Sequence, residues 1–213
     1  GTLEQRLRGE KGYRLDAGAA AVVLRGMLRS VLCCHAHGMA HRDLKPDNFV
    51  FQSKEDAAAI KLIDFGLSHR PVAPTAEYIN MAGTLEHSAP ESFPARDEQG
   101  VFHRPRTKNA SAGQLADLWS LGAIFFQILT GEPLLDLDRE RSETAEFARM
   151  VKGSVGGVGR DLIDDAASKI RSAAYLRQRL ELARQRAPPA ACDLLERMLA
   201  QDPAARITAA QAL

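Results

Sequence analysis

The sequence predicts a mainly α fold with one small β-hairpin, in the α+β class. Two long stretches, 16–37 and 114–130, have the apolar spacing of buried helices. Between them lie two short runs rich in β-branched and aromatic residues, Phe49–Gln52 and Ile60–Ile63, which predict the two strands of a hairpin. The length of 213 residues is enough to bury a core without disulfides or a structural metal.

The helices of the first half have recognisable ends. A short helix is expected over 3–8, and Asp16 is placed to cap the next helix, which Gly38 ends. The strongly apolar helix 114–130 is followed by Gly131, a residue that favours helix termination.

The second half is predicted to be helix and loop only. Residues 153–159 contain four glycines and predict a loop. Helical spacing then returns over 161–186, 190–200 and 208–213.

The amino-acid composition limits which binding partners and which cellular compartment we expect for the protein. The chain has 28 Lys and Arg against 27 Asp and Glu, which argues against nucleic acid as an obligatory partner. An odd, small set of cysteines, Cys33, Cys34 and Cys192, is typical of reduced thiols, so we expect an intracellular, cytoplasmic protein. No run of eighteen apolar residues occurs, and no membrane span is expected.

One possible metal cluster lies in the helix 16–37, where Cys33, Cys34, His35 and His37 are close in sequence. Neighbouring residues on a helix project in different directions, and no second set of ligands is present. The sequence therefore favours a structural helix over a metal site.

The densest chemistry lies in His41-Arg42-Asp43-Leu44-Lys45-Pro46-Asp47-Asn48, which fits the pattern H-R-D-L-x-x-x-N. Asp64-Phe65-Gly66 and Ala89-Pro90-Glu91 follow in that order. With these three motifs the sequence resembles the eukaryotic protein kinase family over nearly the whole chain.

The resemblance implies a catalytic group for phosphoryl transfer, which depends on positioning and on neutralising phosphate charge. Asp43 would receive the proton of the attacking hydroxyl, and Lys45 would stabilise the transferring phosphate. Asn48 and Asp64 would hold Mg²⁺ through oxygen atoms. Lys45, Asn48, Asp64 and Val50, the last under the adenine, would bind ATP.

The resemblance also implies structural roles for five residues. His41 would pack under Phe65 and be tied to Asp117, which opens the apolar helix. Arg206 would pair with Glu91.

The serine/threonine branch is indicated by Lys45 in Asp-Leu-Lys-Pro and by Gly83-Thr84. The residues within the motifs are most similar to those of the calcium/calmodulin-dependent and calcium-dependent protein kinases. Thr84 would shape the pocket for a substrate hydroxyl. Asp47 is either solvated or contacts a basic residue of the protein substrate.

The activation segment is expected over 64–91. Arg42, next to the catalytic carboxylate, suggests control by a phosphate on Thr75 or Tyr78, or by Glu77 as a built-in substitute. A polar loop without phosphorylation is the alternative.

Two departures from the family pattern are visible. His87 stands where an aromatic residue, often Tyr, is usual. An exposed insertion is expected over about 92–113. Its basic residues are interpreted as a solvated face, with docking as the lesser alternative: Arg104, Arg106 and Lys108.

A complete kinase domain begins with a β-rich lobe carrying a Gly-rich loop and a strand lysine. No G-x-G-x-x-G is present, so we expect residues 1–213 to be the C-terminal lobe, with the N-lobe absent and required as a partner. The function expected is ATP- and Mg²⁺-dependent phosphorylation of protein Ser or Thr, with the fragment inactive in isolation. The alternatives are a non-catalytic interaction module and, more distantly, a small-molecule kinase.

Overall fold

The computed structural model describes residues 1–53, 59–70, 78–79, 83–96, 102–103, 106–107, 112–137 and 157–213. Helices form most of this part of the chain, as predicted. They are α1 (Leu3–Gly9), α2 (Ala17–Ala36), α3 (Ala112–Thr130), α4 (Gly157–Arg171), α5 (Ala173–Arg186), α6 (Pro189–Met198) and α7 (Ala209–Ala212). The strands are β1 (Phe49–Phe51), β2 (Ile60–Leu62), β3 (Tyr78–Ile79), β4 (Ala95–Arg96), β5 (Phe102–His103) and β6 (Arg106–Thr107).

Helix α3 is the centre of the core. It is apolar on nearly all sides, and Trp119, Ile124 and Phe126 are fully buried. Helices α2, α5 and α6 pack around it. At Gly122 a side chain would lie 2.9 Å from Leu199, so the absence of a Cβ allows α6 to approach α3 closely.

Helix α2 begins and ends where the sequence predicts. The side chain of Asp16 accepts hydrogen bonds from the backbone N–H groups of Gly18 and Ala19, at 2.9 and 3.0 Å. Gly38 has φ +72°, which a glycine adopts at low cost, and it ends the helix.

The predicted hairpin is the antiparallel pair β1 and β2, with Phe49 opposite Leu62 and Phe51 opposite Ile60. Just outside it, the N–H of Ile63 donates to the carbonyl of Asn48 at 2.9 Å. This register brings the end of the first motif beside the start of the second.

The prediction that the rest is helix and loop is wrong. Two further antiparallel pairs occur: β3 with β6, where Tyr78 faces Thr107, and β4 with β5, where Ala95 faces His103. Each strand has only two residues, too few to give an alternating sequence pattern.

The helical stretch predicted over 161–186 is confirmed, and it consists of two helices. Ser172 separates α4 from α5, and its side chain accepts a hydrogen bond from the N–H of Tyr175 as an N-cap. Of the predicted loop 153–159, residues 157–159 begin α4, and the others lie outside the described residues.

The predicted exposed insertion over about 92–113 is wrong at both ends. Phe93 and Pro94 are buried at its start, and Ala112 and Gly113 are buried in the first turn of α3.

Helices α2 and α3 are long and apolar enough to cross a membrane by length and composition alone. In this fold 44% and 78% of their apolar windows are buried. Core helices of soluble proteins have the same character, so the feature is weak evidence, and the expected absence of a membrane span stays a prediction.

Candidate active site

The 41–48 loop is held by one buried carboxylate from the core helix. Asp117, 1% exposed, accepts the backbone N–H of His41 on one oxygen and that of Arg42 on the other, both at 2.8 Å. Arg42 has φ +74°, a conformation that costs a non-glycine residue about 1–3 kcal/mol. The two hydrogen bonds offset this strain and fix the backbone next to Asp43.

Asp117 has a further side-chain partner, which the sequence motifs do not predict. His35 of α2 places its Nε2 2.9 Å from Oδ2 of Asp117. Gln114 donates to the carbonyl of His35 at 3.0 Å. Only the packing of α2 on α3 brings these residues together.

The carboxylate of Asp43 is buried and its two oxygens have different partners. Thr84 donates to Oδ1 through both its backbone N–H, at 3.0 Å, and its hydroxyl, at 2.9 Å. The Lys45 Nζ lies 3.3 Å from Oδ2. Three of the predicted site residues therefore meet at one carboxylate.

Asn48 and Asp64 are brought to the same end of the hairpin. The Nδ2 of buried Asn48 donates to the carbonyl of Asp43 at 2.7 Å, which fixes the plane of the amide. Asp64 is exposed, has φ +63°, and accepts the N–H of Gly66 at 3.3 Å. One amide oxygen and one carboxylate suit Mg²⁺, which takes few protein ligands when phosphates and water complete its shell.

Around this group lie His41, Phe65 and Val50. The rings of His41 and Phe65 meet edge to face with centroids 5.0 Å apart, and His41 Nε2 lies 3.0 Å from the carbonyl of Ile63. Phe65 itself is 42% exposed. Val50 is partly buried in β1, bridged to Thr2.

Glu91 and Arg206 form a two-pronged ion pair, with N–O distances of 2.6 and 3.0 Å. The same guanidinium donates to the carbonyls of Leu115 and Ala200 and stacks over Trp119 at 5.2 Å. Its side chain is fully buried. The pair joins the 83–94 segment to α3 and to the C-terminal end of the chain.

A second arginine, which the sequence pattern does not mark, holds the same segment. Arg171, the last residue of α4, donates to the carbonyls of Pro90, Phe93 and Pro94. The sequence marks Arg171 only as a basic residue in the last turn of a helix, which does not predict these contacts.

A cleft of about 950 Å³ opens beside Lys45, Thr84 and His87. Acidic side chains outnumber basic ones on its walls. They are Glu4, Asp47, Glu86, Glu132 and Asp136, against Arg8 and Lys45.

The cysteines and histidines of α2 point to different neighbours. Cys34 is buried, and burial raises the pKa of its thiol, with Cys33 and Asp117 acting in the same direction. Cys33 is exposed, and His35 is bound to Asp117. Among the residues described, no group of three or more His, Cys, Asp or Glu side chains is placed to hold a metal.

The predicted control residues Thr75 and Glu77 lie outside the described residues, as do Arg104 and Lys108. Tyr78 and Arg106 are described only as backbone, in β3 and β6.

Comparison with known proteins gives a consistent picture. The protein kinase domain model matches residues 1–213. Calcium-dependent protein kinase 21 of Arabidopsis thaliana is 32% identical over 195 residues, which is 92% of this chain and 29% of the relative. CDPK-related kinase 5 of the same plant is 33% identical over 214 residues, covering 100% of this chain and 28% of the relative. Calcium/calmodulin-dependent serine/threonine-protein kinase 1 of Oryza sativa subsp. japonica is 39% identical over 121 residues, covering 57% and 18%. The chain thus spans less than a third of the length of these relatives.

Proposed function

This chain belongs to the protein kinase domain family, and we propose that the protein containing it transfers the γ-phosphate of ATP to Ser or Thr hydroxyls of proteins. The observation that carries the proposal is the carboxylate of Asp43, which contacts both Lys45 and Thr84. We infer that the chain forms the C-terminal lobe, with the other half of the nucleotide cleft supplied by an N-lobe, and that the protein acts inside the cell.

Asp43 acts as the group that orients the attacking hydroxyl and receives its proton. Thr84 holds Oδ1 through two hydrogen bonds, so the carboxylate cannot rotate freely. Lys45, 3.3 Å from Oδ2, places a positive charge where charge develops on the transferring phosphoryl group. A general base of this kind contributes a factor of about 10² to 10⁴.

Asn48 and Asp64 would hold Mg²⁺, and Val50 would contact the adenine ring. Bound there with ATP, the metal would neutralise phosphate charge and help to orient the γ-phosphate. The hydrogen bond from Asn48 to the Asp43 carbonyl couples the metal-binding amide to the loop that carries the base. The positions of the base and of the Asn48 amide are therefore set by one short stretch of backbone, to which the hairpin brings Asp64.

The cleft favours a substrate with basic residues near the acceptor. Asp47, Glu86 and Glu132 line it within the same cavity as Lys45 and Thr84. Complementary charge of this kind raises association rates and excludes acidic partners.

The test is phosphate transfer by the full-length protein. We expect incorporation into a Ser peptide with flanking arginines, loss of that incorporation with EDTA, and less transfer to a peptide with flanking glutamates. A Tyr peptide serves as the control for acceptor type. Absence of transfer to every peptide and to total protein, with ATP and Mg²⁺ present, would contradict the proposal and favour a non-catalytic interaction module.

A further inference from the structure

His87 is the last residue of a short 3₁₀ turn, Leu85–His87, which begins directly after Thr84. Thr84 donates twice to Asp43, and Gly83 just before it has φ +95°. A side chain at Gly83 would collide with the carbonyl of Arg42, so the segment lies directly on the 41–48 loop. Whatever fixes this turn therefore fixes the groups that contact Asp43.

Two contacts tie His87 to the core helix α3. Its backbone carbonyl accepts a hydrogen bond from the Ser120 hydroxyl at 2.8 Å. Its ring Nε2 lies 3.4 Å from Oε1 of Gln127. Because an amide oxygen can only accept, the hydrogen of the neutral ring belongs on Nε2, and Nδ1 carries a lone pair.

The Nδ1 side of the ring is shielded from bulk solvent. Nδ1 is buried and has no hydrogen-bond partner among the described residues. His87 shares a small cavity of about 20 Å³ with Asp43, Thr84 and Ser120, which is room for one water molecule. A neutral ring accepts a hydrogen bond from such a water, whereas a second N–H would need an acceptor.

The charges near the ring come from several elements. Arg42, Asp43 and Asp117 share the small cavity with His87, and Lys45 and Glu86 share the larger cleft. The remaining charged side chains of that cleft are Glu4, Arg8, Asp47, Glu132 and Asp136. Helix α4, which also packs on this turn, presents an apolar buried face. Burial lowers the pKa of His87 and outweighs the opposing effects of Glu86, Gln127 and Asp43, and Lys45 acts in the same direction as burial.

We propose that His87 is a positioning residue for the phosphoryl transfer: as a neutral imidazole it joins the 83–88 segment to α3 through Gln127 and so keeps Thr84 on Asp43. The catalytic part of this inference rests on the proposed function. The structural part, the attachment of Thr84, does not.

The attachment is tested by hydrogen–deuterium exchange of the peptide covering 83–92 in the full-length protein. The N–H of Thr84 is a donor to Asp43, so its exchange reports the contact directly. Gln127→Leu should speed exchange of this peptide about fivefold at neutral pH, the effect of one net hydrogen bond. Gln178→Leu, on the exposed face of α5, is the matched control and should leave it unchanged.

The pH dependence of this exchange distinguishes His87 from a residue with a purely structural role. After correction for intrinsic exchange, the wild-type peptide should lose protection as His87 takes up a proton, and His87→Gln should lack this step. In phosphate-transfer assays Gln127→Leu and His87→Gln should each lower kcat about three- to tenfold, and the double variant should be no worse than the single ones.

Unchanged exchange in Gln127→Leu, a pH step that survives in His87→Gln, or additive losses of kcat would overturn the proposal. If the wild-type protein transfers no phosphate at any pH, the proposed function fails, and the exchange data alone still decide whether His87 holds Thr84 on Asp43.

Discussion

The 41–48 loop and the 83–94 segment lie against the same core helix but are held in different ways. The loop is fixed through its backbone, by two N–H groups on the buried carboxylate of Asp117. The segment is fixed by side chains from distant elements, chiefly Arg206 near the C-terminal end and Arg171 from α4. The chemistry is concentrated in the first region, and the second holds the partners of that chemistry in place.

Replacing Arg206 with Ala should have the largest effect on stability. It leaves the Glu91 carboxylate without its ion pair and removes a donor from two partly buried carbonyls, so we expect a loss of about 3–5 kcal/mol. Urea or thermal unfolding measures it, with Arg197→Ala on the surface of α6 as the control, which should change stability by less than about 0.5 kcal/mol. A melting shift below one degree for Arg206→Ala would show that the segment is held by other contacts.

Asp117→Asn should come next. The amide replaces one accepting oxygen with a donor, so one N–H of His41 or Arg42 loses its partner in a buried site. We expect about 1–3 kcal/mol of destabilisation, together with a lower kcat because the strained backbone at Arg42 is released. An unfolding curve and a kcat both equal to wild type would show that the loop needs no anchor.

Thr84→Val should separate the two regions most cleanly. It removes the hydroxyl donor to Asp43 but keeps the backbone N–H contact, so the cost in stability should be about 0.5–1.5 kcal/mol. The kcat should fall several-fold, because the carboxylate is less restrained. Thr84→Ser keeps the hydroxyl and should retain most of the activity, and equal losses in the two variants would contradict a role for the hydroxyl.

The smallest expected effect is on the pH dependence of stability. Burial holds the pKa of His87 below the value of about 6.5 that it has in the unfolded chain. Between the two pKa values the unfolded chain binds more protons, so stability should fall as the pH drops below about 6.5 and level off below the folded pKa. His87→Phe should remove this part of the slope in melting temperatures measured between pH 5 and 8, and an unchanged slope would mean that the ring is solvated.

The local parts of the site could be predicted from the sequence. The 41–48 motif, the hairpin that joins Asn48 to Asp64, and the Asp16 cap all depend on residues close together in the chain. Short-range spacing is enough to place such groups, because backbone geometry fixes their distances.

Long-range ties could not be found from spacing, and of these only pairs such as Glu91 with Arg206 were expected, from the family resemblance. His35 reaches Asp117 from 82 residues away, and Arg171 reaches Phe93 from 78 residues away. Nothing in either sequence neighbourhood marks these side chains as partners, since their meeting depends on how helices pack. The two-residue strands have too few residues to give an alternating pattern. The break at Ser172 depends on a local N-cap, and it was missed because the helical spacing continues on both sides of it.

The most direct test that the chemistry lies in the 41–48 loop is Asp43→Asn in the full-length protein, assayed with ATP, Mg²⁺ and a basic Ser peptide. We expect phosphate transfer to fall by about 10² to 10⁴ while the melting temperature stays within a few degrees of wild type, because Asn keeps the shape and one accepting oxygen for Thr84. Equal phosphate incorporation by wild type and Asp43→Asn would contradict the assignment of the chemistry to this carboxylate.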